Sequence, residues 1–338
     1  MANDDRVRLA LPGILNLTLI AAVAGGIYGY TTGDQGLQGI ARGTLTGALI
    51  GGVTSSLDAF VLQAPGAPLT RAPFLVNVGV RSLVYLVVFL LGIAAGHWLL
   101  PKSPRDGVFD FSSDDILFCF AATFVISFLL EVNSLLGQNV LLAYATGRYH
   151  RPRVEQRIFL FIDMKGSTAA AEQLGEVDFH RLLNRFVTDL TGSIVLREGQ
   201  IHKYVGDELI ATWPLAAGLK DARCLRACFS AIARLDALAP AYQRDFGRRV
   251  EIRAGLHCGP VVVGEMGTVK KEIALLGDTL NTTARIVDAC RTSGEQVIAS
   301  AALLDQLSLP PGIAARAMGP LKLRGKESAL ELVALTAG

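Results

Sequence analysis

Long apolar stretches and short alternating ones divide this chain into two unlike halves. Before Gly147 the hydrophobic positions run almost unbroken through four windows, Gly13–Thr31, Gly43–Leu62, Ser82–Leu100 and Ile116–Leu136. Each is close to the roughly 20 residues a helix needs to cross the hydrocarbon core of a bilayer. Arg42 and Arg81 mark two of the window edges, because an arginine at mid-membrane costs about 2.5–3.5 kcal/mol. Pro101, Pro104 and the acidic cluster Asp106–Asp115 suit a loop between the third and fourth windows. Tyr28, Tyr30 and Trp98 fall near predicted ends, where aromatic rings favour the headgroup zone. Paired glycines at 25–26 and 51–52 would let such helices approach closely.

After Gly147 the pattern shortens. Ile158–Ile162 is a brief apolar run, read as a buried strand. Val177–Leu196 places Phe179, Leu182, Leu183, Phe186 and Leu190 at helical spacing, a core-facing stripe. Ile201–Val205 and Leu209–Trp213 flank Gly206-Asp207-Glu208, which predicts a β-hairpin. Ala216–Leu238 reads as an amphipathic helix, and Val250–Leu256 leads through His257-Cys-Gly-Pro to Val261–Gly264 as a strand pair. A helix over Asp278–Arg291 and a strand over Leu330–Leu335 complete the series. The order strand, helix, hairpin, helix, strand pair suits a ferredoxin-like βαββαβ core with additions. The expected architecture is an α-helical transmembrane bundle of four spans (1–146), a juxtamembrane connector (147–156) and an α+β domain (157–338).

Composition sharpens this picture. Half of the 338 residues are hydrophobic (51%), and the charged ones concentrate after Gly147. A net charge of +2 offers no attraction to nucleic acid. Arg6, Arg8, Arg71, Arg81, Arg148, Arg151, Arg153 and Arg157 flank one side of the windows, against Arg42, Lys102 and Arg105 on the other. That asymmetry predicts cytoplasmic termini and a multi-pass protein of the inner membrane. Ala22-Val-Ala-Gly25 resembles a signal-peptide cleavage site, but the apolar run continues past it, which favours an uncleaved first helix. Asp58 and Glu131 fall within predicted spans. Intramembrane carboxylates are functional candidates, although each sits late in its window, where a side chain can reach the interface. Arg148–Arg153 reads as a basic collar against anionic lipid, or as a plain linker. The five cysteines include no CxxC; Cys224 and Cys228 stand one helical turn apart and read as small core residues.

Three runs carry the chemistry. In Phe159-Leu-Phe-Ile-Asp163-Met-Lys-Gly-Ser-Thr168, a carboxylate ends a strand. Met164, Lys165, Gly166, Ser167 and Thr168 then turn into a helix whose backbone N–H groups suit phosphate. Lys203-Tyr-Val-Gly-Asp207-Glu208 puts Asp207 at a hairpin tip, with Glu208 read as a neighbour only. Gly277-Asp-Thr-Leu-Asn281-Thr-Thr-Ala-Arg285 places Asn281 and Arg285 on one helix face. If Asp163 and Asp207 converge, two carboxylates and phosphate oxygens suit two Mg²⁺ or Mn²⁺ ions.

From about Gln156 to Leu335 these runs, in this order and spacing, resemble the class III nucleotidyl cyclases, membrane-anchored bacterial adenylate cyclases in particular. The resemblance implies that ATP is converted to 3′,5′-cyclic AMP and pyrophosphate. It implies metal binding by Asp163 and Asp207, ribose orientation by Asn281 and transition-state charge stabilisation by Arg285. It also implies adenine binding by Lys203, and phosphate binding by Arg324 or Lys326. The second base-selecting position maps to Ala274, which can make no side-chain hydrogen bond, so a guanylate cyclase stays open. In the family the two halves of one site come from different subunits, which implies a homodimer. A membrane receptor whose cyclase-like domain does no chemistry is the rival from another class.

Overall fold

The computed structural model describes residues 3–32, 36–62, 67, 69, 72–99, 113–137, 140–321 and 329–338. It divides into two compact units, Ala2–Gly137 and Gln138–Gly338.

The first unit is helical. α1 covers Asn3–Thr32, α2 Leu37–Leu57, α3 Phe74–Leu99 and α4 Ser113–Leu136. Among the described residues four helices are long and apolar enough to cross a membrane, over Ala10–Thr31, Leu37–Leu62, Phe74–Leu99 and Cys119–Leu136. Arg42 and Arg81 are therefore not edges: both lie inside their helices. α1 and α2 meet through glycines. A Cβ on Gly25 would stand 2.2 Å from the carbonyl oxygen of Gly43, and one on Gly47 2.1 Å from that of Ala21, so only backbone without side chain fits.

The last turn of α2 widens to a π-helical turn over Asp58–Leu62, beginning at the Asp58 carboxylate. Asp58 and Glu131 do not reach for an interface; they turn inward onto Arg81, which is 3% exposed. Arg81 Nε lies 3.6 Å from Asp58 Oδ1 and Nη1 3.4 Å from Glu131 Oε2. Asn77, one turn before Arg81, donates from Nδ2 to Glu131 Oε1 at 3.2 Å, and Tyr85, one turn after it, hydrogen-bonds Asp58. Asn77, Arg81 and Tyr85 thus form a polar stripe down α3 that engages α2 and α4. Burial explains the difference from expectation, since a desolvated carboxylate requires a counter-charge.

The second unit begins with α5 (Val140–Ala145) and builds one mixed sheet from β1 Arg153–Met164, β2 Gln200–Val205, β3 Glu208–Pro214, β4 Ile252–Met266, β5 Glu272–Leu276, β6 Val297–Ser300, β7 Ile313–Leu321 and β8 Leu330–Ala337. The order is β2-β3-β1-β4-β6-β8-β7, with β5 pairing β4. Its β2-β3-β1-β4 portion is antiparallel throughout, the sheet of a βαββαβ core. Between strands lie α6 Ser167–Leu174, α7 Glu176–Val195, α8 Leu215–Leu219, α9 Arg223–Phe246, α10 Asp278–Ser293 and α11 Ala301–Leu304.

From Ile158 to Ile162 β1 is apolar without interruption, because both faces of that stretch are covered. Ile158, Leu160, Ile162 and Met164 enter the main core with Leu182, Phe186 and Leu190 of α7. Phe159 and Phe161 enter a second cluster with Val287 of α10. Two expectations change. The helix expected over Ala216–Leu238 is α8 and α9, and α9 runs on to Phe246. The strand pair expected around His257–Pro260 is one long strand, β4, hydrogen-bonded on both sides, with β5 as the true return strand. Glycines on β4 admit α10: a Cβ on Gly259 would stand 2.6 Å from Thr279 Oγ1, whose hydroxyl donates to the Pro260 carbonyl at 2.7 Å. The five cysteines are free and buried.

Candidate active site

β1 delivers Asp163 beside its register partners Glu208 on β3 and Arg253 on β4. Val205 and Glu208 pair directly, so Gly206 and Asp207 form a two-residue hairpin loop. Gly206 takes φ 61°, which such a turn requires and a side chain resists. The turn brings the Asp207 carboxyl within hydrogen-bonding reach of Asp163. The two metal-ligand candidates therefore converge.

Charge in this corner is dense. Asp163 is 9% exposed, and burial first, then the Asp207 charge, raises its carboxyl above the ordinary range. Arg291 of α10 and Arg253 pull the other way, at 3.6 Å and 3.5 Å from its Oδ2. Glu208 is pushed up to about 7 by burial, with Asp163, Asp207 and Asp288 adding to it. Glu208, a neighbour only by its motif, belongs to this charge cluster, and Arg253, Arg291 and Asp288 join it without any motif of their own. Their sequence signal is only a charged residue at a strand or helix position; strand register brings Glu208 and Arg253 to Asp163, and the packing of α10 brings Arg291 to the same carboxylate and Asp288 towards Glu208.

The donors suit a hard divalent cation. Two carboxylates stand side by side, and the buried Asp163 Oδ2 has the two arginines at ion-pair distance but accepts no hydrogen bond from either. No group of three His, Cys, Asp or Glu side chains gathers there among the described residues, so phosphate and water oxygens would complete the shell.

The turn after Asp163 starts α6. Gly166, at φ 68°, caps that helix, and the N–H groups of its first turn open beside the carboxylates. Ser167 is half-buried and Thr168 exposed, whereas the Met164 side chain is buried in the core, which leaves only its backbone for the site. Lys165 turns aside to Glu251, its Nζ 3.3 Å from the carboxylate.

α10 carries the second group of residues. Thr279, Thr282, Thr283, Ile286 and Val287 face the sheet. Asn281 is exposed and Arg285 half-buried on the opposite side. No hydrogen bond or ion pair among the described residues joins either of them to Asp163 or Asp207. It is Arg291, about 9 Å further along the axis than Arg285, that reaches Asp163. One chain thus contains both sets of candidate residues without assembling them. Lys203, on β2, donates to Glu272 Oε1 of β5 at 3.3 Å. Ala274 is 5% exposed, opposite Gly264. Arg324 and Lys326 lie outside the described residues.

Residues 150–335 match the family model for the adenylate and guanylate cyclase catalytic domain. The chain belongs to that family. It is 36% identical over 261 residues to adenylate cyclase 2 of Rhizobium meliloti, a match that covers 75% of this chain and 72% of the relative. It is 26% identical over 179 residues to an adenylate cyclase of Anabaena cylindrica, covering 51% of this chain and 35% of that one. The fold is that of a bacterial light-regulated adenylyl cyclase, at TM-score 0.56 and 20% identity over 69% of this chain and 67% of the other. With the family established, the α+β unit is a cyclase domain, and the convergence of Asp163 and Asp207 falls within it.

Proposed function

We propose that this protein is a membrane-anchored adenylate cyclase that acts as a homodimer with its sites at the subunit interface. The observation that carries the reading is the split arrangement on one chain. Asp163 and Asp207 meet beside the start of α6, while Asn281 and Arg285, on the outward side of α10, join neither acid. Two copies related by a two-fold axis would each complete the other, giving two equivalent sites.

In this reading Asp163 and Asp207 hold two Mg²⁺ or Mn²⁺ ions. Bound there, such ions neutralise phosphate charge and favour the ionised 3′-oxygen. The N–H groups at the start of α6, with the backbone of Met164–Thr168, cradle the phosphates. Arg324, or Lys326 in its place, supplies a further phosphate contact. The partner subunit's Asn281 orients the ribose, and the partner subunit's Arg285 faces the α-phosphate, where negative charge grows in the transition state. The ribose 3′-oxygen bonds to the α-phosphorus, the bond from that phosphorus to the bridging oxygen breaks, and pyrophosphate leaves. The hydroxyl proton passes to Asp207 or to water. Positioning and charge neutralisation supply the catalysis.

The four apolar helices, in the same reading, span the inner membrane, and the catalytic unit lies on the cytoplasmic side, where ATP is found. The deciding experiment is a product assay on the full chain in membranes, given ATP or GTP with Mn²⁺. Cyclic AMP from ATP is expected. Cyclic GMP alone would make the protein a guanylate cyclase, and no product from either would overturn the catalytic reading.

A further inference from the structure

The side chain that ought to select the purine is missing at Ala274, and the structure places another beside it. Residues on a strand alternate between faces, so Glu272 and Ala274 share one face of β5. Ala274 offers only a methyl group and is buried against the Gly264 position of β4. Two residues earlier, the Glu272 carboxylate meets the Lys203 ammonium of β2, Nζ to Oε1 at 3.3 Å. The two side chains are 32% and 46% exposed, at the rim of the sheet rather than inside the core.

An ammonium and a carboxylate fixed side by side present one donor and one acceptor, a hydrogen-bond length apart. The polar edge of adenine is the matching pair: a ring nitrogen that accepts and an exocyclic amine that donates. Guanine reverses both, with a ring N–H and an exocyclic oxygen. With Lys203 at the ring nitrogen and Glu272 at the exocyclic group, adenine satisfies both contacts and guanine opposes both.

We infer that Glu272 is a purine-selecting residue of this cyclase and, together with Lys203, provides the discrimination that Ala274 lacks. The inference rests on the cyclase reading above and deepens it. An ordinary rim ion pair would contribute nothing to selectivity, and that is the alternative to exclude.

The test compares the full chain in membranes with Glu272→Ala, Glu272→Gln and the double variant Glu272→Ala/Ala274→Thr, by kcat/KM for ATP and for GTP. A hydrogen bond to a charged group is worth about 10- to 100-fold, so Glu272→Ala should lower the ATP-to-GTP ratio by that factor. Glu272→Gln keeps an acceptor and should retain part of the ratio. Adding Ala274→Thr to Glu272→Ala should recover part of it, by restoring an acceptor on the same strand face. Equal losses for both nucleotides, or an unchanged ratio, would overturn the inference and leave the cyclase reading standing. A wild-type chain that prefers GTP would overturn it as well. A wild-type chain that makes neither product would remove both.

Discussion

Separate half-sites on one chain make a quantitative prediction about mixed dimers. On the proposed reading, Asp163→Asn removes a metal carboxylate, and Arg285→Ala removes the guanidinium that would face the α-phosphate. Loss of one such transition-state contact costs about 10²–10³ in rate, so each variant alone should keep no more than about 1% of wild-type activity. Within one chain Arg285 lies about 9 Å along α10 from Arg291, the residue that reaches Asp163. Each site would therefore draw its acids from one subunit and its arginine from the other. When the two variants are co-expressed in equal amounts, random pairing makes about half the dimers mixed, and each mixed dimer has one intact site of two. Cyclic AMP formation should recover to about one quarter of the wild-type rate. The assay is product formation by membranes carrying both chains, normalised to chain amount by distinct tags. Recovery no greater than the sum of the separate variants would refute interfacial sites and the homodimer with them.

Three further outcomes are expected. Arg81→Met leaves Asp58 and Glu131 facing each other without their cation, and breaking a buried ion pair in this way should cost about 3–5 kcal/mol of stability; the triple change Arg81→Met/Asp58→Asn/Glu131→Gln should regain most of it in thermal unfolding of the detergent-solubilised chain, and a triple variant no more stable than the single one would contradict the argument. Asp207→Asn relieves the repulsion that helps raise Asp163, so without metal the variant should gain about 1 kcal/mol, while losing the rise in melting temperature that Mn²⁺ should give the wild type; an unaltered response to Mn²⁺ would deny Asp207 its place as a ligand. Burial, reinforced by the Lys203 and Arg157 charges, lowers His202 from 6.5 to about 4. The folded chain then binds fewer protons there than the unfolded one, so this contribution is complete above pH 6.5 and disappears as the pH falls towards 4. His202→Asn should flatten the acid limb of the stability curve by about 2 kcal/mol, allowing for the partial exposure of the ring, and an unaltered limb in urea titrations across that range would place the acid lability elsewhere.

Much of the fold was legible because its determinants are local. The apolar run Ile158–Ile162, the α7 stripe and the hairpin around Gly206-Asp207 each state their conformation within a few residues, through periodicity or a required positive φ. Their order along the chain then admits few sheet topologies. The convergence of Asp163 and Asp207 followed the same route, since both stand at ends of elements that become neighbours in the sheet. Boundaries were less legible. Arg42 and Arg81 looked like the limits of spans because an unpaired cation is expensive in hydrocarbon, and His257–Pro260 looked like a break because Gly and Pro interrupt strands. For Arg81 and for the His257–Pro260 segment, partners from elsewhere in the chain overrode that local signal.

Those partners are what only the tertiary structure decided. Arg81 is tolerable inside a helix because Asp58 and Glu131, on two other helices, supply its counter-charges. Arg253 and Arg291 bear on Asp163 because β4 lies beside β1 and α10 lies across them. Glu272 meets Lys203 across a separation of 69 residues. Nothing in the residues around any of these side chains specifies the contact. Hydrophobic periodicity tells a segment which face to bury, but the charge that a buried or rim group meets depends on which faces are brought together. That is determined by packing of the whole unit, and the electrostatics of the site follow from it.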